Sequence, residues 1–371
     1  MNIKIFAISM IMSFTPVAAR ADTPLPVIPS SYVVDKITQR MFEPSSTSSD
    51  LVLLSAHRGY WEIYPENSSY ALQDAWNRGY ETVEIDARFT ADKQVIVAHD
   101  FNIDRISTGS GAVSSLTYSQ LKQVDLKDRH GKVFSDANGN KGKFLGFSEV
   151  LDLLEQYVTS DGLGYVVIVD IKTAPGRSGL EIMQKLLDLI AAKNHPSLSK
   201  AVVIKINARD AGDLRSVLSR TTYNPNVNGG LVLVENPDAD NVKISNYDPN
   251  QDVNYGQWNT APFPIQFEMN QYYRGDGLEN YFHYADQQKG FATYIESNLF
   301  PEGVATAAGM CCVAHITDPK STASASIIPD YRGDPEMAVI NPTNLITTDS
   351  VDAVGDMLQA LGRRNINLLK R

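Results

Sequence analysis

The sequence predicts an α/β fold: a single (β/α)8 barrel of the TIM type with long loops after its strands. Strand-type apolar runs alternate with helix-type segments along most of the 371 residues. The runs are continuous rather than alternating, as in strands buried on both faces of a parallel sheet. Strand candidates are numerous, and no Pro/Gly-rich linker divides the chain, so a closed barrel is favoured over an open doubly wound sheet.

The N-terminus comes first. Met1-Asn2-Ile3-Lys4 is a short positive start, residues 5–14 are apolar but too short to span a bilayer, and Ala19-Arg20-Ala21 fits a small-x-small cleavage site. This predicts a secretory signal over residues 1–21 and a periplasmic or extracellular protein. Residues 22–50, rich in Pro, Ser and Thr, read as an extended leader with one short helix near 33–41. The barrel occupies 51–371.

Its first strand is expected at 51–56, followed by a helix over 68–78 with Gly79 as its cap. Strands two and three fall at 82–87 and 94–98, and a short helix at 116–124. A helix over 147–157, capped by Ser148, leads to the β-branched strand 165–171 and the helix 179–193. Strand 201–206, helix 210–218 and strand 230–234 continue the pattern. Further strands are expected at 264–269 and 293–297, then a last strand at 345–348 and a last helix at 351–361. Residues 221–290, dense in Asn, Tyr and Pro, read as a loop-rich excursion of the same domain.

Charge excludes one class of function. The formal charge is −10, and loss of Lys4 and Arg20 with the leader makes it −12. General nucleic-acid binding needs basic surface and is not expected. No later segment is long and apolar enough for a transmembrane helix. Cys311 and Cys312 are adjacent, where a bridge would be strained, and read as small buried hydrophobes.

Chemistry in such a barrel gathers at the C-terminal ends of the strands. His57 and Arg58 end the first strand. Glu84 and Asp86, two apart on the second, point to one side of the sheet. His99 and Asp100 end the third, and Asp170 and Lys172 repeat the two-residue spacing on a later strand. Bringing 170 and 172 to the earlier group is expected to need a closed or strongly curved sheet. Inward carboxylates need a partner, most simply a cation. Glu84, Asp86 and Asp170 form a hard oxygen set for one divalent cation, Ca2+ or Mg2+, rather than zinc. His57 and His99 titrate nearest neutral pH, as an acid–base pair requires. Arg58 offers a planar fork and Lys172 a point charge for phosphate oxygens. Glu66 and Asn67 are either a turn and cap before Ser68 or outer support for His57 or the metal.

These residues resemble the glycerophosphodiester phosphodiesterases. The shared pattern stands here as His57-Arg58-Gly59, Pro65-Glu66-Asn67, Glu84-Ile85-Asp86, His99-Asp100 and Asp170-Ile171-Lys172. Asp104-Arg105, Thr108-Gly109 and Ile346-Thr347-Thr348-Asp349 extend it. The match is strong over 51–172 and looser at the C-terminus. The resemblance implies a (β/α)8 barrel and a divalent-metal phosphodiesterase acting on small glycerophosphodiesters. It also implies His57 and His99 as acid and base, Glu84, Asp86 and the acid at 170 as metal ligands, and Arg58 and Lys172 on the phosphate. The family usually has Glu at the third ligand, and Asp170 is one methylene shorter. A phospholipase C- or D-type enzyme on intact lipid or wall polymer is the alternative, and a non-catalytic binding relative a lesser one.

Several residues stay open. Lys205 either reaches the pocket or is a solvated strand end, and Gln266 and Glu268 alternate on a candidate strand. Trp258, Phe263, Tyr272 and Tyr273 either wall the cleft or pack a loop. His130, His195 and His283 read as surface residues, and His315 lacks zinc-site spacing to the cysteines.

Overall fold

A computed structural model describes residues 25–43, 49–173, 178–207, 214–235, 265–271, 290–295, 343–349 and 351–371. The signal segment 1–21, the cysteines, His283, His315, Trp258, Phe263, Tyr272, Tyr273 and most of the 221–290 excursion lie outside them.

The described strands are β1 (Leu53–His57), β2 (Thr82–Phe89), β3 (Val95–Val97), β4 (Val166–Ile171), β5 (Val202–Asn207), β6 (Leu231–Glu235), β7 (Ile265–Gln271), β8 (Gly290–Ile295) and β9 (Leu345–Thr348). All but β3 run parallel, in the order β1-β2-β4-β5-β6-β7-β8-β9. The sheet closes where β9 pairs with β1, Leu53 opposite Leu345. The expected (β/α)8 barrel is therefore the fold.

One expected barrel strand is not a barrel strand. β3 pairs antiparallel with β2, Ala87 opposite Val97, and lies outside the closed ring. A short, apolar three-residue run cannot declare its direction, and only the turn at Thr90, whose amide donates to Gln94 O at 3.0 Å, makes it a hairpin.

Burial on both faces explains the strand composition. β4 is Val166-Val167-Ile168-Val169-Asp170-Ile171, buried throughout. The helix Ser69–Asn77 starts at Ser68, whose hydroxyl accepts the Ala71 amide, and lays Ala71, Leu72, Ala75 and Trp76 on the sheet. The helix Phe147–Leu154 begins where expected but ends three residues sooner, and its cap differs. Gly146 is its cap, its amide donating to Glu149 Oε2 at 2.8 Å, and Ser148 sits in the first turn.

The helix Val34–Phe42 covers the N-terminal mouth of the barrel. Ile37 and Met41 have no solvent exposure, and burial of such side chains stabilises by roughly 1.5–3 kcal/mol each. The Arg40 and Met41 carbonyls accept the side-chain amides of Asn344 and Gln266, each at 2.7 Å. With that end plugged, the C-terminal ends of the strands form the open face. No helix among the described residues is long and apolar enough to cross a membrane.

Candidate active site

The site begins at the end of β1. Arg58 and Gly59 both take positive φ, +59° and +83°, and turn the chain sharply after His57. A Cβ on Gly59 would lie 2.6 Å from the Ala71 carbonyl carbon, so only glycine lets the helix Ser69–Asn77 pack this closely. Tyr60 donates its amide to Ala71 O at 2.8 Å, locking the turn to that helix.

The turn aims His57 into the barrel mouth. Its Nδ1 lies 2.6 Å from Asp349 Oδ1, just after β9, and its Nε2 lies 3.9 Å from Glu84 Oε2. Trp61 also donates to Asp349 Oδ1, at 3.0 Å. Burial alone would raise the Asp349 carboxyl, but His57 and its hydrogen bond hold it below the usual range. An ionised Asp349 keeps a proton on Nδ1 of His57 and turns Nε2 toward the site.

His99 arrives from the β2–β3 hairpin. Ala98 donates its amide to Asp86 O at 2.9 Å, and Arg88 Nε donates to His99 O at 2.8 Å. His99 Nδ1 pairs with Asp100 Oδ1 at 2.9 Å, and Arg105 Nε holds the other Asp100 oxygen at 2.5 Å. Burial and the neighbouring Arg58 push His99 down to about 4, so it is neutral at physiological pH.

Glu84, Asp86 and Asp170 come together as direct neighbours. Asp86 stands opposite Asp170 in the β2–β4 ladder, and His57 opposite Glu84 in the β1–β2 ladder. Strand adjacency suffices for this; barrel closure is needed only to bring Asp349 and the lumen residues. The ligand atoms of the three carboxylates lie within 4.8 Å of one another, all buried. Glu84 Oε2 and Asp86 Oδ1 have no hydrogen-bond partner. Burial and the Asp86 charge raise the Glu84 carboxyl to about 7. Asp86 is held well below its usual range, against its burial, by His99 and Arg58. Buried carboxylates with unpartnered oxygens and only oxygen donors fit a hard divalent cation, as the sequence expects.

Around them, Lys172 Nζ donates to Asp170 Oδ2 at 2.8 Å and lies 3.5 Å from Asp86 Oδ1. Its side chain keeps 27% exposure, open to a ligand. Arg58 differs from expectation. Its side chain has no exposure and sits behind Asp86, with Nε 3.3 Å from Asp86 Oδ2 and Nη1 donating to Glu66 Oε1 at 2.9 Å. With no exposed atom, it is held among these carboxylates and offers no open surface to a phosphate. Glu66 in turn binds Arg105 through both oxygens, at 2.7 and 2.8 Å. Its support therefore goes to two arginines rather than to His57. Asn67, also at positive φ (+56°), donates to Asp86 Oδ2 at 2.8 Å.

Lys205 and Glu268 are pocket residues. Lys205 on β5 is 4% exposed and ion-pairs with Glu268 on β7, with Glu84 at 3.5 Å and with Asp170 at 3.3 Å. Their sequence signal was weak because a strand-end lysine looks alike whether it faces lumen or water. A cleft of about 580 Å³ opens beside Lys172, lined by Arg88, Phe89, Phe101, Val113 and Ile182.

The sequence pattern of the Glycerophosphoryl diester phosphodiesterase family matches residues 57–204. Probable glycerophosphodiester phosphodiesterase 1 of Mycobacterium tuberculosis strain H37Rv is 33% identical over 158 residues. That alignment takes in 41% of this chain and 56% of the relative, so the chain spans little more than half of that protein. A solved glycerophosphoryl diester phosphodiesterase from Parabacteroides distasonis ATCC 8503 superposes with a TM-score of 0.55 at 18% identity, over 90% of this chain and 94% of its own.

Residues 57–204 form a domain of the glycerophosphodiester phosphodiesterase family.

A second structure of a glycerophosphodiester phosphodiesterase from the same Parabacteroides strain gives a TM-score of 0.51 at 17% identity, over 85% of this chain and all of that one. Both structures share the barrel. Uncharacterized protein y4eD of Sinorhizobium fredii (strain NBRC 101917 / NGR234) is 60% identical over 356 residues, 95% of each chain. The matched segment of this glycerophosphodiester phosphodiesterase domain spans both histidines and the three carboxylates. It stops one residue before Lys205, and Glu268 and Asp349 lie beyond it.

Proposed function

We propose that this protein is a divalent-metal hydrolase that cleaves glycerophosphodiesters to sn-glycerol 3-phosphate and an alcohol. One observation carries the reading: two histidines, each tied through Nδ1 to a carboxylate, flank a buried cluster of three carboxylates. Glu84, Asp86 and Asp170 bring three carboxylates against Lys172 and Lys205, and their oxygen donors with the remaining negative charge suit one divalent cation. Such a cation, Mg2+ or Ca2+, would draw charge from the phosphoryl oxygens when bound.

The chain's own residues do the rest. One histidine accepts the proton of the nucleophile, either the vicinal glycerol hydroxyl or a water, and the other protonates the leaving alkoxide. Asp349 and Asp100 keep each imidazole in one tautomer and orientation. Lys172 contacts the phosphate, while Arg58 acts from behind by positioning Asp86. The cleft beside Lys172 receives part of the diester.

The test is release of glycerol 3-phosphate from glycerophosphocholine with Mg2+ or Ca2+ added. Turnover that survives a chelator removes the metal from this reading, and no turnover on any small diester removes the substrate class. A second reading, action on a lipid with an apolar tail, is favoured by Ile63 and Phe101, 48% and 44% exposed in the segments after His57 and His99. Vesicle-embedded substrates cleaved faster than soluble ones would favour it. Export through removal of residues 1–21 is part of the proposal; N-terminal sequencing of the mature protein tests it.

A further inference from the structure

Each carboxylate of the cluster has one oxygen already committed to the protein. Asp86 Oδ2 takes the Asn67 amide at 2.8 Å and Arg58 Nε at 3.3 Å, while Oδ1 makes no hydrogen bond and has the part-exposed Lys172 Nζ nearby, at 3.5 Å. Glu84 Oε1 takes Lys205 Nζ at 3.5 Å, while Oε2 makes none. On Asp170, Lys172 and Lys205 both stand on Oδ2, at 2.8 and 3.3 Å. Lys205 holds two of the three, and Glu268 anchors its ammonium from the far side of the lumen.

We infer that Lys205, held by Glu268, is a positioning residue that restricts Glu84 and Asp170 to one ligand oxygen each and so biases the site toward Mg2+ over Ca2+. The inference rests on the metal reading above. Ca2+ takes six to eight oxygens and gains from two-oxygen carboxylate contacts; Mg2+ takes six at shorter distance, one per carboxylate, and keeps several waters. An ammonium on the second oxygen closes off the first mode and leaves the second. Asp170, being short, cannot swing past Lys172 and Lys205 to offer both oxygens. Lys205 lies at a position the family pattern does not reach.

The test is calorimetric titration of the cation-free, full-length protein with Mg2+ and with Ca2+. The wild type is compared with Lys205→Met and with the double variant Lys205→Met/Glu268→Gln. The double variant removes one charge of each sign, so the site's net charge is unchanged and Glu268 is not left as a buried carboxylate without its ammonium, while Glu84 Oε1 and Asp170 Oδ2 are released from Lys205. Loss of a positive charge alone strengthens both cations, so the readout is the ratio of their dissociation constants. The wild type is expected to bind Mg2+ at least as tightly as Ca2+, and the double variant to shift the ratio at least tenfold toward Ca2+. A wild type that prefers Ca2+ tenfold, or a ratio unchanged in the double variant, overturns the inference and leaves the metal reading intact. Absence of binding by either cation overturns both. If Lys205→Met fails to fold, the double variant still decides.

Discussion

His57 and Asp349 join the first barrel strand to the last: His57 Nδ1 and Asp349 Oδ1 are 2.6 Å apart across 292 residues of sequence. The proposed acid–base imidazole is thus oriented by barrel closure itself. Asp349→Asn removes the ionised acceptor and can present an amide N–H to Nδ1, favouring the wrong tautomer. It should lower kcat/KM by about 10²–10⁴-fold with unchanged circular dichroism. A loss under threefold would mean that Asp349 does not govern His57.

In the proposed reaction the two histidines act on opposite sides of one displacement. His57→Ala and His99→Ala should each cost at least about 100-fold in turnover. The double variant should cost far less than the product of the two, because removal of either partner already breaks the concerted proton transfer. Steady-state kinetics on a glycerophosphodiester decide this; near-wild-type turnover in either single variant would be incompatible with the assignment.

Glu84 makes cation-free stability depend on pH. Its carboxyl is raised to about 7 by burial and the Asp86 charge. The folded state therefore holds this proton more tightly than the unfolded state. That stabilisation is present below about pH 4.5 and is lost as pH rises through about 7. Asp86, Asp349 and Glu66, held below their usual range, act in the opposite sense only at lower pH, but His99, pushed down to about 4, acts in the opposite sense from about pH 4 to 6.5 and offsets Glu84 there. In a chelator, Tm of a His99→Asn variant should fall from about pH 5 to 7, while the wild type changes less. Added Mg2+ should raise Tm more at about pH 8 than at about pH 5.5, and Glu84→Gln should leave Tm rising with pH up to about 6.5.

Glu66 carries two arginines. Glu66→Ala leaves Arg58 and Arg105 without this carboxylate, and Arg58 has no exposure through which water could replace it. Breaking a buried pair of this kind costs about 3–5 kcal/mol. Urea unfolding should show it as a lower midpoint, while Glu66→Gln should retain part of the loss. An unchanged midpoint would show that the arginines find other partners.

Removal of the cation should abolish turnover and restoration should recover it. Recovery with Mg2+ exceeding that with Ca2+ would agree with the binding preference inferred from Lys205. Turnover indifferent to a chelator would contradict the carboxylate cluster as a metal site.

Much of this was present in the chain itself. Continuous runs such as Val166-Val167-Ile168-Val169 demand burial on both faces, which leads to a parallel sheet, and the number of such strands in one undivided chain leads to its closure as a barrel. The spacings Glu84-Ile85-Asp86 and Asp170-Ile171-Lys172 place both pairs on one side of their strands, because side-chain direction repeats every two residues. Histidines, carboxylates and their order were therefore local information. Direction and distance were not. Val95–Val97 reads as another barrel strand until its antiparallel pairing with β2 turns it into a hairpin that delivers His99 from outside the ring. Arg58 reads as a phosphate ligand until its burial holds the guanidinium among the carboxylates. Lys205 stands beside Asp170 on the neighbouring strand, Glu268 reaches it from β7, and Asp349 meets His57 only because β9 closes onto β1. A linear pattern records which groups a strand carries, whereas the partners of those groups depend on which strands the closed barrel sets beside and opposite them.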